Sequence, residues 1–312
     1  MKLKYTLSLV SLLIGSATSS FAWDDCGHKT VAAVAYSSLT DATKKKIDAI
    51  FKNDPRGRQF VNAATWPDDI KQGLRNDLNV KAPVDGSWHY VDIPFSASEE
   101  EITATINKPG VVVNPAQEHT ANAVTAIRYY RDQLKTGSRD SAAMADALSW
   151  LIHLTGDVHQ PLHCVTVFDT MPNYTPPPQG DRGGNGFVIQ HPAGELHAFW
   201  DDLFDEPTGG RDGEGRDKSD DNAMKIAEGL KLKVHLAPTD IAKQDPATWA
   251  RESYEFRQFV YSPVVAGHAT MVHPAHQITA EYAVKAREIA EQRVVLAGQR
   301  LAAELEVIFG TN

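Results

Sequence analysis

The stretch SAAMADALSWLIHLTGDVHQPLH, residues 141–163, carries the pattern that sets the architecture. Its alanines and leucines favour helix until Pro161, which removes a backbone donor and makes continuation costly. A helix is expected from near Ser141 to about His159. On it His153 and Asp157 are four apart, so their side chains stack on one face about 40° apart. Leu148, Leu151, Ile152 and Thr155 take the opposite face, and His163 follows just past the proline.

Outward from this helix the pattern stays helical. Residues 27–39 are small and apolar at helical spacing, and Thr40-Asp41 can cap a second helix through Phe51, with Asn53-Asp54-Pro55 as its stop. A third helix is expected over about 116–134. A last long one, about 274–309, places Tyr282, Ala286, Ile289, Ala297, Leu301, Leu305 and Ile308 near one face, with Gly310 as C-cap. Strand signals are thin: residues 87–93 and 186–189 could form short ribbons at most, and 168–186, rich in proline and glycine, reads as a surface loop. With no internal repeat and no linker, the expectation is one all-α domain.

The first 22 residues have the form of an export signal. Lys2 and Lys4 give a basic start, residues 7–14 an apolar core, and Ser20-Phe21-Ala22 a cleavage site. Cleavage after Ala22 makes Trp23 the mature N-terminus, leaves residues 23–312 as the mature domain, and sends the chain to the periplasm or outside the cell. The apolar run is too short to span a bilayer, and no later run approaches about 18 apolar residues, so no membrane anchor is expected. The full chain has 31 Lys+Arg against 40 Asp+Glu, a net charge of −9; losing Lys2 and Lys4 gives 29 − 40 = −11. A nucleic-acid binder of the usual basic-patch kind is therefore excluded. A phosphate-handling protein of this composition needs positive charge from bound metal.

His197 and Asp201 repeat the spacing of His153 and Asp157. Two such pairs with His163 nearby have the makings of a multinuclear zinc site, because imidazole and carboxylate together suit zinc. A His-x-x-x-Asp pair is also a common surface or capping pair, and spacing alone leaves both open.

The run 153–163, HLTGDVHQPLH, closely resembles the central motif of the S1/P1 nucleases. So do Trp23-x-x-x-Gly27-His28, TWPD at 65–68, WHYVD at 88–92, GGN at 183–185 and His197-x-x-x-Asp201, all in family order, and AGQRLA at 297–302 is similar too. The resemblance covers the chain from Trp23 to the last helix. It implies a phospholipase C/P1 nuclease-like helical fold with long loops and at most a short β ribbon, and three Zn2+ per chain. One zinc is implied on Asp68, His89, His153 and Asp157, and a second on His163, His197 and Asp201. The third is implied on the amino nitrogen and carbonyl oxygen of Trp23, with His28 and Asp157, so that Asp157 bridges. The pocket is then cationic although the protein is not.

The implied activity is hydrolysis of single-stranded DNA and RNA at the P–O3′ bond to give 5′-nucleotides, with 3′-nucleotidase activity on 3′-nucleotides. Zinc lowers the pKa of bound water to about 7, and Asp68 is implied to orient the nucleophile. Lys71 matches a position beside the phosphate, Tyr90 an aromatic position that stacks on a base, and Asp92 and Asn185 positions that hydrogen-bond the base edge. The structural alternatives are solvation for Lys71 and core packing for Tyr90. A monomer is expected.

A zinc phospholipase C shares this logic, but its first histidine lies much further from the N-terminal tryptophan and its last metal pair typically ends in Glu. A non-catalytic zinc-binding protein would need no Asp68, Lys71, Tyr90 and Asp92 constellation. His159 is expected to be packed or at the surface, and Asp69 and Asp202 to orient ligands or lie at the surface. Asn173-Tyr174-Thr175 is a glycosylation sequon. Cys26 and Cys164 each neighbour proposed ligands, and in an oxidising compartment a Cys26–Cys164 disulfide is expected as the alternative to two reduced residues.

Overall fold

Asp140 begins the central helix: its carboxylate accepts from the amides of Ala142 and Ala143, occupying two donors that no helical carbonyl can reach. The computed structural model describes residues 23–71, 86–108, 122–138, 140–171, 174–204, 216–264 and 276–310. The expected signal segment 1–22, Asn173 and the side chain of Lys71 lie outside the described residues.

In chain order the helices are α1 (Asp25–Ser38), α2 (Asp41–Lys52), α3 (Trp66–Lys71), α4 (Glu99–Ile106), α5 (Ala123–Thr136) and α6 (Ser141–Asp157). After them come α7 (Leu196–Asp201), α8 (Arg216–Lys233), α9 (Pro238–Ile241), α10 (Pro246–Tyr254), α11 (Arg257–Val260) and α12 (Ala280–Phe309). Among the described residues the one sheet is a two-residue parallel pair, β1 (Ile189–Gln190) on β2 (His276–Gln277). The all-α expectation holds.

Boundaries differ where tertiary partners intervene. Asn122 caps α5 by accepting from Thr125 N at 3.0 Å, which sets the start at Ala123. Thr279 does the same for α12, and His276 pairs with β1, so the helix cannot extend back to 276. Residues 86–89 form a 3₁₀ turn, and the backbone beyond is held across the chain: Val91 N donates to His163 O at 2.6 Å and Thr166 N to Ile93 O at 2.9 Å. That tie brings Tyr90 and Asp92 alongside the segment that follows His163.

α6 lies at the centre, packed by α1, α2, α3, α5 and α12. From Ala147 to Asp157 every residue is buried, so the polar face with His153 and Asp157 is as enclosed as the leucine face. Tyr130 of α5 stacks on Trp150 at 5.6 Å, and Trp88 meets Trp150 edge-on at 5.3 Å. Such aromatic pairs contribute about 0.5–1.5 kcal/mol each beyond area burial, and here they form an apolar floor under His89, 5.5 Å from Trp150. No helix among the described residues is long and apolar enough to cross a membrane.

Candidate metal centre

Three elements bring histidine and aspartate to the end of α6. The first is α1, which Asp24 caps through Gly27 N at 2.9 Å, while Asp24 N donates to Asp201 O at 3.2 Å and ties α1 to α7. Trp23, fully buried, donates its indole N–H to Gly156 O at 3.1 Å, which fixes the start of the chain's described part beside α6. His28, one turn into α1, stacks on His153 at 3.9 Å.

Among the described residues, three buried groups have ligand atoms within 4.8 Å of one another: His28, His153 and Asp157; Asp68, His89 and His153; and His163, His197 and Asp201. Asp157 lies between the first two. Its Oδ1 is 3.3 Å from His28 Nε2, and its Oδ2 is 3.0 Å from His89 Nδ1 and 3.3 Å from His153 Nε2. Asp68 from α3 is 3.6 Å from His89 Nδ1. In the third group Asp201 Oδ2 is 3.5 Å from His197 Nε2.

The donor chemistry fits metal. His153 Nδ1 faces Ala64 O at 2.7 Å, His163 Nδ1 faces His89 O at 2.5 Å and His197 Nδ1 faces Gly183 O at 2.5 Å. A carbonyl oxygen only accepts, so each Nδ1 donates and each neutral ring presents a bare Nε2. His163 Nε2 and His197 Nε2 then face each other at 3.1 Å, lone pair to lone pair, a repulsive contact that a cation between them would reverse. Buried Asp68 Oδ1 and His28 Nδ1 likewise have no hydrogen bond inside the protein, and Asp157 Oδ1 and His28 Nε2 have only their 3.3 Å contact with each other. Buried polar atoms normally find partners, and a metal ion would supply them here.

The carboxyls respond to these surroundings. Burial raises Asp157, but the facing histidines, His153 foremost, pull it well below the usual carboxylate range. Burial lowers His153, yet Asp157 and Asp68 carry it up to about 9, so without metal its Nε2 holds a proton that a bound cation would displace. Asp201 is pushed well above the carboxylate range by burial, because its direct partner is the neutral amide of Gln160 at 2.8 Å.

Tyr90 is 38% exposed next to buried His89, which disposes of core packing as its role. Asp92 is held by the Thr166 hydroxyl, which donates at 2.5 Å, and burial raises its carboxyl. Asn185 is half-buried in the Gly183–Gly184 turn and donates to Arg182 O at 2.6 Å. Gly183 has φ +63°, and a Cβ there would collide with Leu162 O, so the turn that supports His197 requires glycine. Lys71 closes α3. Asp69 is buried and Asp202 exposed.

The expected Cys26–Cys164 disulfide is corrected: neither cysteine is bridged. Cys164 belongs to the main core, with Sγ 3.5 Å from Val158 O, whereas Cys26 packs on a second apolar cluster around Trp23, Val34 and Phe204. Proximity of their neighbours in the ligand set did not bring the thiols together. Burial pushes the Cys164 thiol up to about 12.

Residues outside the ligand motifs hold the end of α6. Ser253 Oγ donates to Val158 O at 2.6 Å, Arg293 Nε to His159 O at 3.1 Å, and Arg300 Nη1 meets buried His159 Nε2 at 3.0 Å. Two cations at a helix C-terminus also suit its dipole. Arginines inside the apolar stripe of α12 were the one signal of this in the sequence.

An all-α scaffold closing on buried His/Asp clusters has the donor set of a metalloenzyme. A sequence model of the S1/P1 Nuclease family matches residues 23–310, and the chain belongs to that family. Nuclease S1 of Aspergillus oryzae is 26% identical over 317 residues, which takes in 97% of each chain. Endonuclease 2 of Arabidopsis thaliana is 22% identical over 310 residues, 96% of this chain and 94% of the relative. Endonuclease 5 of the same plant is 26% identical over 208 residues, 64% of this chain and 62% of the relative. The protein is a nuclease, and nucleic acid is its substrate.

Proposed function

We propose that this nuclease is a three-zinc enzyme that hydrolyses single-stranded DNA and RNA at the P–O3′ bond, leaving 5′-nucleotides, and that it also removes phosphate from 3′-nucleotides. The observation that carries the proposal is the convergence of three buried His/Asp groups, two of them sharing His153, beside the exposed ring of Tyr90. Asp68, His89, His153 and Asp157 would hold one zinc, His163, His197 and Asp201 a second, and Trp23, His28 and Asp157 the third. Zinc in such a site supplies Lewis acidity and water activated near neutral pH. Asp68 orients the attacking water, and Lys71 adds a cation beside the phosphate. Tyr90 stacks on a base of any identity, since every base has a π-face, while Asp92 and Asn185 contact its edge. Single strands fit because an exposed ring stacks only on a base whose π-face is not covered by its neighbours in a duplex stack.

Export follows from the leader 1–22, whose removal frees the Trp23 amine; the mature enzyme acts as a periplasmic or secreted monomer. The test is metal analysis of the mature protein alongside hydrolysis of single- and double-stranded DNA and RNA, with end-group analysis of the products. About three zincs per chain, a preference for single strands and 5′-phosphate ends are expected. Metal-free protein with full activity, or 3′-phosphate ends, would refute the proposal.

A further inference from the structure

Asp181 is fully buried, and no lysine or arginine pairs with it among the described residues. Its carboxylate is held by neutral donors from three segments. Oδ1 accepts from Val167 N at 2.8 Å, and Oδ2 from Gly184 N at 3.1 Å and from the Tyr261 hydroxyl at 2.6 Å. Its own backbone closes the arrangement: Asp181 N donates to Val167 O at 3.0 Å, and Asp181 O accepts from Gly186 N at 2.9 Å. A buried, uncompensated charge is costly, so its position in the fold calls for a reason.

That reason lies one residue away on either side of Gly184. Gly183 O receives the Nδ1–H of His197, and Gly184 O receives the His197 amide at 3.4 Å. Asn185 leaves the same turn. Val167 is joined through Thr166 to Asp92 and, four residues back, to His163. One carboxylate thus cross-links the segment bearing His163 to the turn that supports His197 and presents Asn185. A neutral side chain of the same size could not do this, because an amide places an NH₂ where either Val167 N or Gly184 N now donates.

We propose that Asp181 is a positioning residue, which sets the Gly183–Gly184 turn so that His197 is aimed at its metal and Asn185 at the substrate. The inference rests on the zinc nuclease reading. Its test is Asp181→Asn in the mature enzyme, with Tyr261→Phe as a milder variant that deletes one donor and leaves the charge. Zinc affinity is read by competition with a chelator, and kcat and KM on a short single-stranded oligonucleotide.

Loss of an outer partner of a metal ligand typically weakens metal binding 10–100-fold. Asp181→Asn is expected to release one zinc of three at chelator concentrations that leave the parent intact, and to raise KM, with Tm within a few degrees of the parent. Tyr261→Phe should show a smaller effect at the same zinc. If both variants keep parental zinc affinity and KM, the inference fails while the nuclease reading stands. It fails too if Tm and activity fall together in both with the per-site zinc affinities unchanged. A parent enzyme that binds no zinc would overturn both readings.

Discussion

Asp157 divides its carboxylate between two groups of histidines, and Asp68 serves only one of them. That difference separates chemistry from binding. On the proposed reading Asp68→Asn keeps the shape but removes a negative ligand and the group that orients water, so kcat should collapse with partial loss of one zinc; unchanged kcat would remove Asp68 from the mechanism. Tyr90→Ala should act instead through KM on short oligonucleotides, since stacking contributes roughly 1–3 kcal/mol per base; an unchanged KM would contradict the stacking role. Asp181 gives a pH signature of its own. Burial raises its carboxyl to about 6 from 3.8, so the folded state holds the proton more tightly than the unfolded chain. The associated stability is fully present below about pH 4 and is lost as pH rises through about 6, a change of about 3 kcal/mol. Asp181→Asn lacks this term, and at neutral pH its relief offsets the roughly 1–3 kcal/mol of an orphaned backbone donor. The Tm of Asp181→Asn relative to the parent should climb between about pH 4 and 6 and then level off. A pH-independent difference would show that the carboxyl titrates normally.

At the level of elements, α1 must lie close against α12 for His28 to reach α6. Gly298 of α12 permits that approach: a Cβ there would come within 2.5 Å of Val34 Cβ and 2.8 Å of Val31 O. The second contact is backbone, which cannot rotate away. Gly298→Ala should therefore push the helices apart and destabilise the fold by about 1–3 kcal/mol, the usual effect of overpacking. Because α1 carries His28, zinc content should fall in the surviving folded enzyme as well. A Tm equal to the parent's in thermal unfolding would mean that the two helices have room to spare. On the other side, Arg293 and Arg300 of α12 brace the C-terminal turn of α6, so the same long helix positions both halves of the first group.

For the whole molecule the telling feature is a strongly acidic chain that acts on a polyanion. With a net charge of −9 it has no general attraction for nucleic acid, and affinity must be generated locally at the centre. On the proposed reading, local charge in turn depends on removal of the leader. A peptide-bonded Trp23 nitrogen cannot ligate, whereas a free α-amino group titrates near 8 and binds metal once deprotonated. A form made in the cytoplasm with Met directly before Trp23 should retain the fold, bind the third zinc poorly and lose most activity. Three zincs and full activity in that form would exclude the terminal amine as a ligand.

The sequence by itself determined that the chain is helical and which histidines and aspartates are candidate ligands. Periodicity, the Pro161 stop and the cap residues are local properties, and four-residue spacing fixes a shared helix face without reference to anything else. The short helices α3, α4, α7 and α9 to α11 were not legible in this way, because they are too brief to show a clear period, and the 18-residue α8 was not read from its pattern either. Only the tertiary structure decided that the polar face of α6 is buried and that Cys26 and Cys164 belong to different clusters. It also decided that Asp181 sits behind His197, held by neutral donors and paired with no cation among the described residues. Each of these depends on which surfaces α1, α5 and α12 cover and on hydrogen bonds between residues far apart in the chain. Such contacts form only when the helices pack, and no local pattern encodes them.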